Sequence, residues 1–90
     1  MTYENAVTIL KAQDCNIRKV NGVKFTHNGY EYRLTYMGGF ASYVGIDRRP
    51  VGKRNFKYFS EVGAYNCWTV GEVMDLVKEK LPAYPGHTPT

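Results

Sequence analysis

VKFTHNGYEYRLTY, residues 23 to 36, alternates apolar and polar side chains on either side of an Asn28-Gly29 pair. Asn-Gly supplies the two positive φ angles that a two-residue type I′ hairpin turn requires. With that turn in place His27 faces Tyr30, Phe25 faces Tyr32 and Val23 faces Leu34. One face of the hairpin is then apolar, while Lys24, Thr26, Glu31 and Arg33 occupy the other. An antiparallel sheet covered on one face sorts its residues in this way.

Upstream, Asn21-Gly22 follows IRKV (17–20). A type I′ turn there would set Arg18 opposite Phe25 on the apolar side, so the segment reads either as a short edge strand or as an extended lead-in. Downstream comes Met37-Gly38-Gly39. A two-residue Gly-Gly loop would turn Val44 and Ile46 onto the polar face. A three-residue loop with one left-handed glycine instead pairs Tyr36 with Phe40, Tyr32 with Val44 and Tyr30 with Ile46. This is the predicted register, and it lines up Lys24, Arg33 and Tyr43 across the open face at about 4.8 Å intervals.

The next strand, FKYFSEV (56–62), is reached through IDRRPVGKRNF (46–56). Pro50 lacks an N–H and is expected to stop the preceding strand, with Gly52 completing the turn. Arg48, Arg49, Lys53 and Arg54 are therefore expected to protrude together at a tip. Tyr30, Tyr32 and Tyr36 share the parity of Leu34 and read as core wall. Tyr43 and Phe59 are the expected exposed aromatics, unless a register shift in the last strand turns Phe59 inward.

Helical spacing flanks the strands. In YENAVTILKAQ (3–13), Tyr3, Ala6, Val7 and Leu10 form a stripe with Ile9 beside it, Thr2 is a candidate N-cap, and Asp14, Cys15 and Asn16 break the pattern. In CWTVGEVMDLVKEKLP (67–82), Thr69 and Glu72 make a capping box and Trp68 with Val73 a hydrophobic staple. Val70, Val73, Met74, Val77 and Leu81 are its apolar face, and Pro82 stops it. The predicted fold is α+β: an N-terminal helix, a three- to four-stranded antiparallel β-meander, and a C-terminal helix packed on one face of the sheet. Ninety residues support one core, so the chain is read as a single domain over 1–82 with a Pro-rich tail over 83–90.

Twelve Lys and Arg against eight Asp and Glu give a net charge of +4, which favours anionic partners. No P-loop, G-x-G-x-x-G or H-x-x-x-H is present. Cys15 and Cys67 lack the spacing or a histidine partner of a zinc site and read as reduced structural thiols. His27, the one conceivable base for Cys15, lies on the apolar face and reads as a core residue. A non-enzymatic protein without metal or cofactor is expected. The first ten residues lack the basic start of a secretory signal, and no run reaches the roughly 18 apolar residues of a membrane span, so the expected location is the cytoplasm.

Three strands followed by a helix, Tyr30 to Leu81, is similar in element order to the sheet-based DNA-binding modules of some transposon integrases. That resemblance implies a sheet docked in the major groove, with Arg33, Tyr43 and Lys57 at the matching positions. The short, aromatic-rich chain also resembles small accessory proteins of bacteriophages and mobile elements. The expected function is nucleic-acid binding, DNA or RNA, through the basic hairpin and the open sheet face, by Lys24, Arg33, Tyr43, Arg48, Arg49, Lys53, Arg54 and Lys57. Five phosphate contacts to duplex DNA would give a salt slope of about −4 to −5. The alternative partner is an acidic host protein surface, bound and inhibited through the same Arg and Tyr side chains. The bland reading is a solvated tip whose cations deter aggregation. An exposed edge strand would also let two copies pair.

Overall fold

A computed structural model describes residues 1–13, 17–38, 42–64 and 69–81. Helix α1 (Tyr3–Gln13) is followed by one 3-10 turn (Ile17–Val20) and by strands β1 (Lys24–His27), β2 (Tyr30–Met37), β3 (Tyr43–Pro50) and β4 (Lys57–Gly63). Helix α2 (Val70–Lys80) completes the fold. The strands form one antiparallel sheet in the order β1-β2-β3-β4, and α2 packs on one face of it, as the α+β prediction required.

The core is the apolar parity of that sheet facing the helices. Phe25, Tyr32, Leu34, Val44, Ile46 and Val62 are buried with Tyr3, Ala6 and Leu10 of α1 and with Val70, Val73, Met74 and Val77 of α2. Ile9, placed beside the α1 stripe by sequence, is 45% exposed. The first hairpin has the predicted register, Phe25 opposite Tyr32 and His27 opposite Tyr30. Its turn has φ 56° at Asn28 and 83° at Gly29, the two positive angles of type I′.

Three local expectations are corrected. Residues 17–20 are neither strand nor extended lead-in but a turn of 3-10 helix that buries Val20. The Val20 carbonyl accepts the Val23 N–H at 3.1 Å across Asn21-Gly22, and of that pair only Gly22 has positive φ, the type II requirement. The β2–β3 register is displaced by four residues: Tyr36 faces Val44, Leu34 faces Ile46 and Tyr32 faces Arg48, with residues 38–42 as the connection. Parity survives the displacement, so the apolar residues still meet. Finally, β3 runs through Arg48 and Arg49 to Pro50. β4 pairs only as far as Arg48, so the missing Pro50 N–H interrupts no ladder on that side.

In β4 the partners step from Ile46–Ser60 to Asp47–Tyr58, leaving Phe59 as the extra residue of a β-bulge. The bulge rotates Phe59 onto the core face, where its ring meets Tyr32 edge-on at 5.9 Å. The outer edge of β1 is sealed by the chain preceding α1. Met1 O accepts the Thr26 N–H at 2.7 Å, and Thr2 bridges Thr26 in parallel.

Both helices have side-chain caps. Thr2 Oγ1 accepts the Asn5 N–H at 3.1 Å, and Thr69 Oγ1 accepts the Glu72 N–H at 3.2 Å while donating to the Glu72 carboxylate. The predicted staple residue Trp68, the helix breakers 14–16 and Pro82, both cysteines and the tail lie outside the described residues.

A buried hydrogen bond joins the helices: Tyr3 Oη donates to the Met74 carbonyl at 2.6 Å. Burial, reinforced by the charges of Asp75 and Glu4, pushes the Tyr3 phenol up to about 12. The folded protein keeps this proton at pH values where the unfolded chain, titrating near about 10, loses it. The contribution is therefore complete below pH about 10 and is lost as pH rises towards about 12. Thermal melts across that window are expected to show falling stability, with a shallower slope for Tyr3→Phe. At pH 7 that variant should lose about 1 kcal/mol. Equal slopes for the two proteins would show that Tyr3 is not the titrating group.

Candidate functional site

Arg48 and Arg49 are neighbours in sequence, but inside a strand neighbours point to opposite faces. The extension of β3 to Pro50 therefore separates the basic cluster that sequence alone placed at one tip.

Arg49 joins the open face. Its Nε donates to Glu31 Oε1 at 2.8 Å, and Nη1 donates to the Arg54 carbonyl at 2.7 Å, which ties the following loop to the sheet. Beside it Arg33 pairs with Asp47 at 2.9 Å. Phe56 lies against this group, with its ring centre 4.3 Å from the Arg49 guanidinium, 4.4 Å from that of Arg33 and 5.9 Å from the Lys24 amine. By register the open face carries Lys24, Arg33 and Arg49 against Glu31, Asp47 and Glu61. It is a charge-balanced surface, and its two arginines are already paired.

Arg48 goes to the other face, at the end of the sheet. Its guanidinium sits between the rings of Tyr30 and Phe59, 4.2 Å from each centroid. Among the described residues no carboxylate pairs with it. The Tyr32 hydroxyl is buried and closes no hydrogen bond. Burial pushes its pKa up, opposed in part by the Arg48 guanidinium, first through an N–H within reach of the hydroxyl and then through its charge.

Arg48 lines a cavity of about 640 Å³ together with Lys53, Arg54 and Lys57. Tyr30 and Phe59 provide its aromatic wall, and Tyr58, which pairs with Asp47 on the open face, borders it. None of the described residues lining it is acidic. The turn chemistry of the loop delivers these cations: the Pro50 carbonyl accepts the Lys53 N–H at 3.0 Å, with Gly52 at φ 92°. A positive φ at this position suits glycine, and the turn folds Lys53 and Arg54 back beside Arg48. Tyr58 is 68% exposed. Its hydroxyl donates to Glu61 at 3.0 Å, and that hydrogen bond raises its pKa.

Of the eight residues singled out by sequence, Arg48, Lys53, Arg54 and Lys57 come together. Lys24, Arg33 and Arg49 gather on the opposite face. Tyr43 joins neither group. The corrected register sets it between Met37 and Gly63, four residues along β3 from the Asp47 that faces Arg33, about 13 Å away. Sequence reasoning did not assign Tyr30, Phe59, Tyr58 and Phe56 to a site. Parity had Tyr30 as core wall, and a β-bulge leaves no mark in the alternation that would have turned Phe59 towards Arg48.

The chemistry within reach is anion recognition: a planar guanidinium with flanking ammonium groups suits phosphate or carboxylate oxygens, and rings at the wall suit a flat apolar group. Among the described residues no three His, Cys, Asp or Glu side chains gather as a metal site, and no helix is long and apolar enough to cross a membrane. No protein-family model, curated protein or solved structure matches the chain.

Proposed function

We propose that the chain binds single-stranded nucleic acid at the end of its sheet, with Arg48, Lys53, Arg54 and Lys57 on phosphates and Tyr30 and Phe59 beside the bases. The observation that carries this reading is the segregation of charge. Arg48, Lys53, Arg54 and Lys57 surround one cavity with no acidic residue in its described lining, whereas Arg33 and Arg49 of the open face are paired with Asp47 and Glu31. Duplex docking across the open sheet, the expectation from element order, would require the ion pairs Arg33–Asp47 and Arg49–Glu31 to yield their cations first.

Anisotropy of a labelled single-stranded oligonucleotide between about 50 and 300 mM salt tests the proposal. Four phosphate contacts give a slope of log K against log salt of about −3 for a single strand. Duplex of the same sequence should bind more weakly. Absence of binding at about 50 mM salt, where the electrostatic contribution is strong, would falsify the reading.

A second reading has its own observation. Met37 and Tyr43, 43% and 38% exposed, face each other at the far end of the open sheet, a pairing of residue types favoured at protein interfaces. A protein-binding function predicts affinity capture that survives nuclease treatment and is lost on Tyr43→Ala.

A further inference from the structure

We infer that the Arg48 cavity takes a phosphomonoester, so that the ligand it recognises is the phosphorylated end of a single strand rather than an internal stretch. The inference rests on the nucleic-acid reading above and names the part of the ligand that enters.

Consider first what holds Arg48. Arg33 and Arg49 lie over Phe56 and also spend N–H groups on carboxylates, whereas Arg48 has the rings of Tyr30 and Phe59 at 4.2 Å and no carboxylate. No carboxylate takes the N–H groups of Arg48, and apart from the edge turned to the Tyr32 hydroxyl its fork can meet two oxygens of a phosphate. The stacks also fix the fork before the ligand arrives, which lowers the entropy lost on binding.

The balance of charge points the same way. Arg48, Lys53, Arg54 and Lys57 converge without an acidic residue among the described lining. An internal phosphodiester brings one negative charge and two free oxygens. A phosphomonoester brings about −1.5 to −2 near pH 7 and three strong acceptors, a better match to four cations in one concavity. The shape agrees as well, since about 640 Å³ is the size of a pocket for one compact ligand. Tyr30, half-buried beside Arg48, is the ring nearest the guanidinium on which a terminal base could stack.

The test uses the full chain and three forms of one oligonucleotide: 5′-phosphorylated, 3′-phosphorylated, and hydroxyl at both ends. One phosphorylated form is expected to bind about 10- to 100-fold more tightly than the dihydroxyl form, the range for charge-assisted hydrogen bonds. Arg48→Lys, which keeps the charge and removes the fork, should abolish most of that preference, whereas Lys24→Gln on the opposite face should leave the preference intact. The thermal melt of Arg48→Lys is compared with wild type, so that unfolding is not mistaken for lost recognition. Equal affinity for all three forms overturns the inference and leaves single-strand binding standing. Binding of none of them overturns both. A phosphotyrosine peptide that binds where no oligonucleotide does also overturns both, and reassigns the cavity to a protein ligand.

Discussion

Exchanging Arg48, Lys53, Arg54 and Lys57 for glutamine in one variant is expected to lower single-strand affinity by about 600-fold at 100 mM salt. The figure follows from the salt dependence: four contacts at about 0.7 released counterions each amount to about 2.8 decades between 0.1 and 1 M salt. The salt slope should collapse towards zero in the same variant. The control is Lys24→Gln with Arg33→Gln on the opposite face, expected to change affinity less than about threefold because that face is already balanced. Lys53, Arg54 and Lys57 are exposed, and Arg48 is the only one of the four that stacks between rings, so a melting curve suffices to show that the variant is folded. A loss below about fivefold, or an equal loss in the control, removes the cavity from the binding surface.

Tyr32 carries the second large effect. It is fully buried at the centre of the aromatic cluster, stacked on Phe25 at 5.4 Å and meeting Phe59 edge-on at 5.9 Å. Tyr32→Ala leaves a ring-sized void against both and is expected to cost about 3–5 kcal/mol, most of the stability of a domain this small. Tyr32→Phe behaves in the opposite way. The hydroxyl is buried without a completed hydrogen bond, so its removal relieves desolvation and should leave stability unchanged or raise it by about 1 kcal/mol. Urea unfolding measures both, and a loss above about 1 kcal/mol in Tyr32→Phe would mean that Arg48 holds the hydroxyl in solution. Tyr3→Phe is the counterpart, since the Tyr3 hydroxyl does have a partner.

These residues also show how far the sequence could be read. Features written in adjacent residues were legible: the type I′ turn at Asn28-Gly29, the capping box of Thr69 and Glu72, and the inward parity of Tyr32, Leu34, Val44 and Ile46. Register was not. A period of two is unchanged by a slip of four residues, so Tyr32 opposite Val44 and Tyr32 opposite Arg48 satisfy the same pattern. The number of residues between β2 and β3 decides between them, and that number is not encoded in parity. The site suffered from the same blindness. Treating Arg48 and Arg49 as turn residues kept them together, whereas one more pair of strand residues before Pro50 sends one to the cavity and the other to Glu31. Charge clustering did point to the segment that lines the cavity, because Arg48, Lys53 and Arg54 are held close by the turn at Pro50 and Gly52.

The sealed flank of β1 bears on self-association. With Met1 and Thr2 occupying the hydrogen-bonding positions beside Thr26, the sheet offers a copy of itself only the β4 side. Two such sheets joined β4 to β4 would carry the Met1–Thr26 contact at both outer flanks, where it opposes the addition of a third.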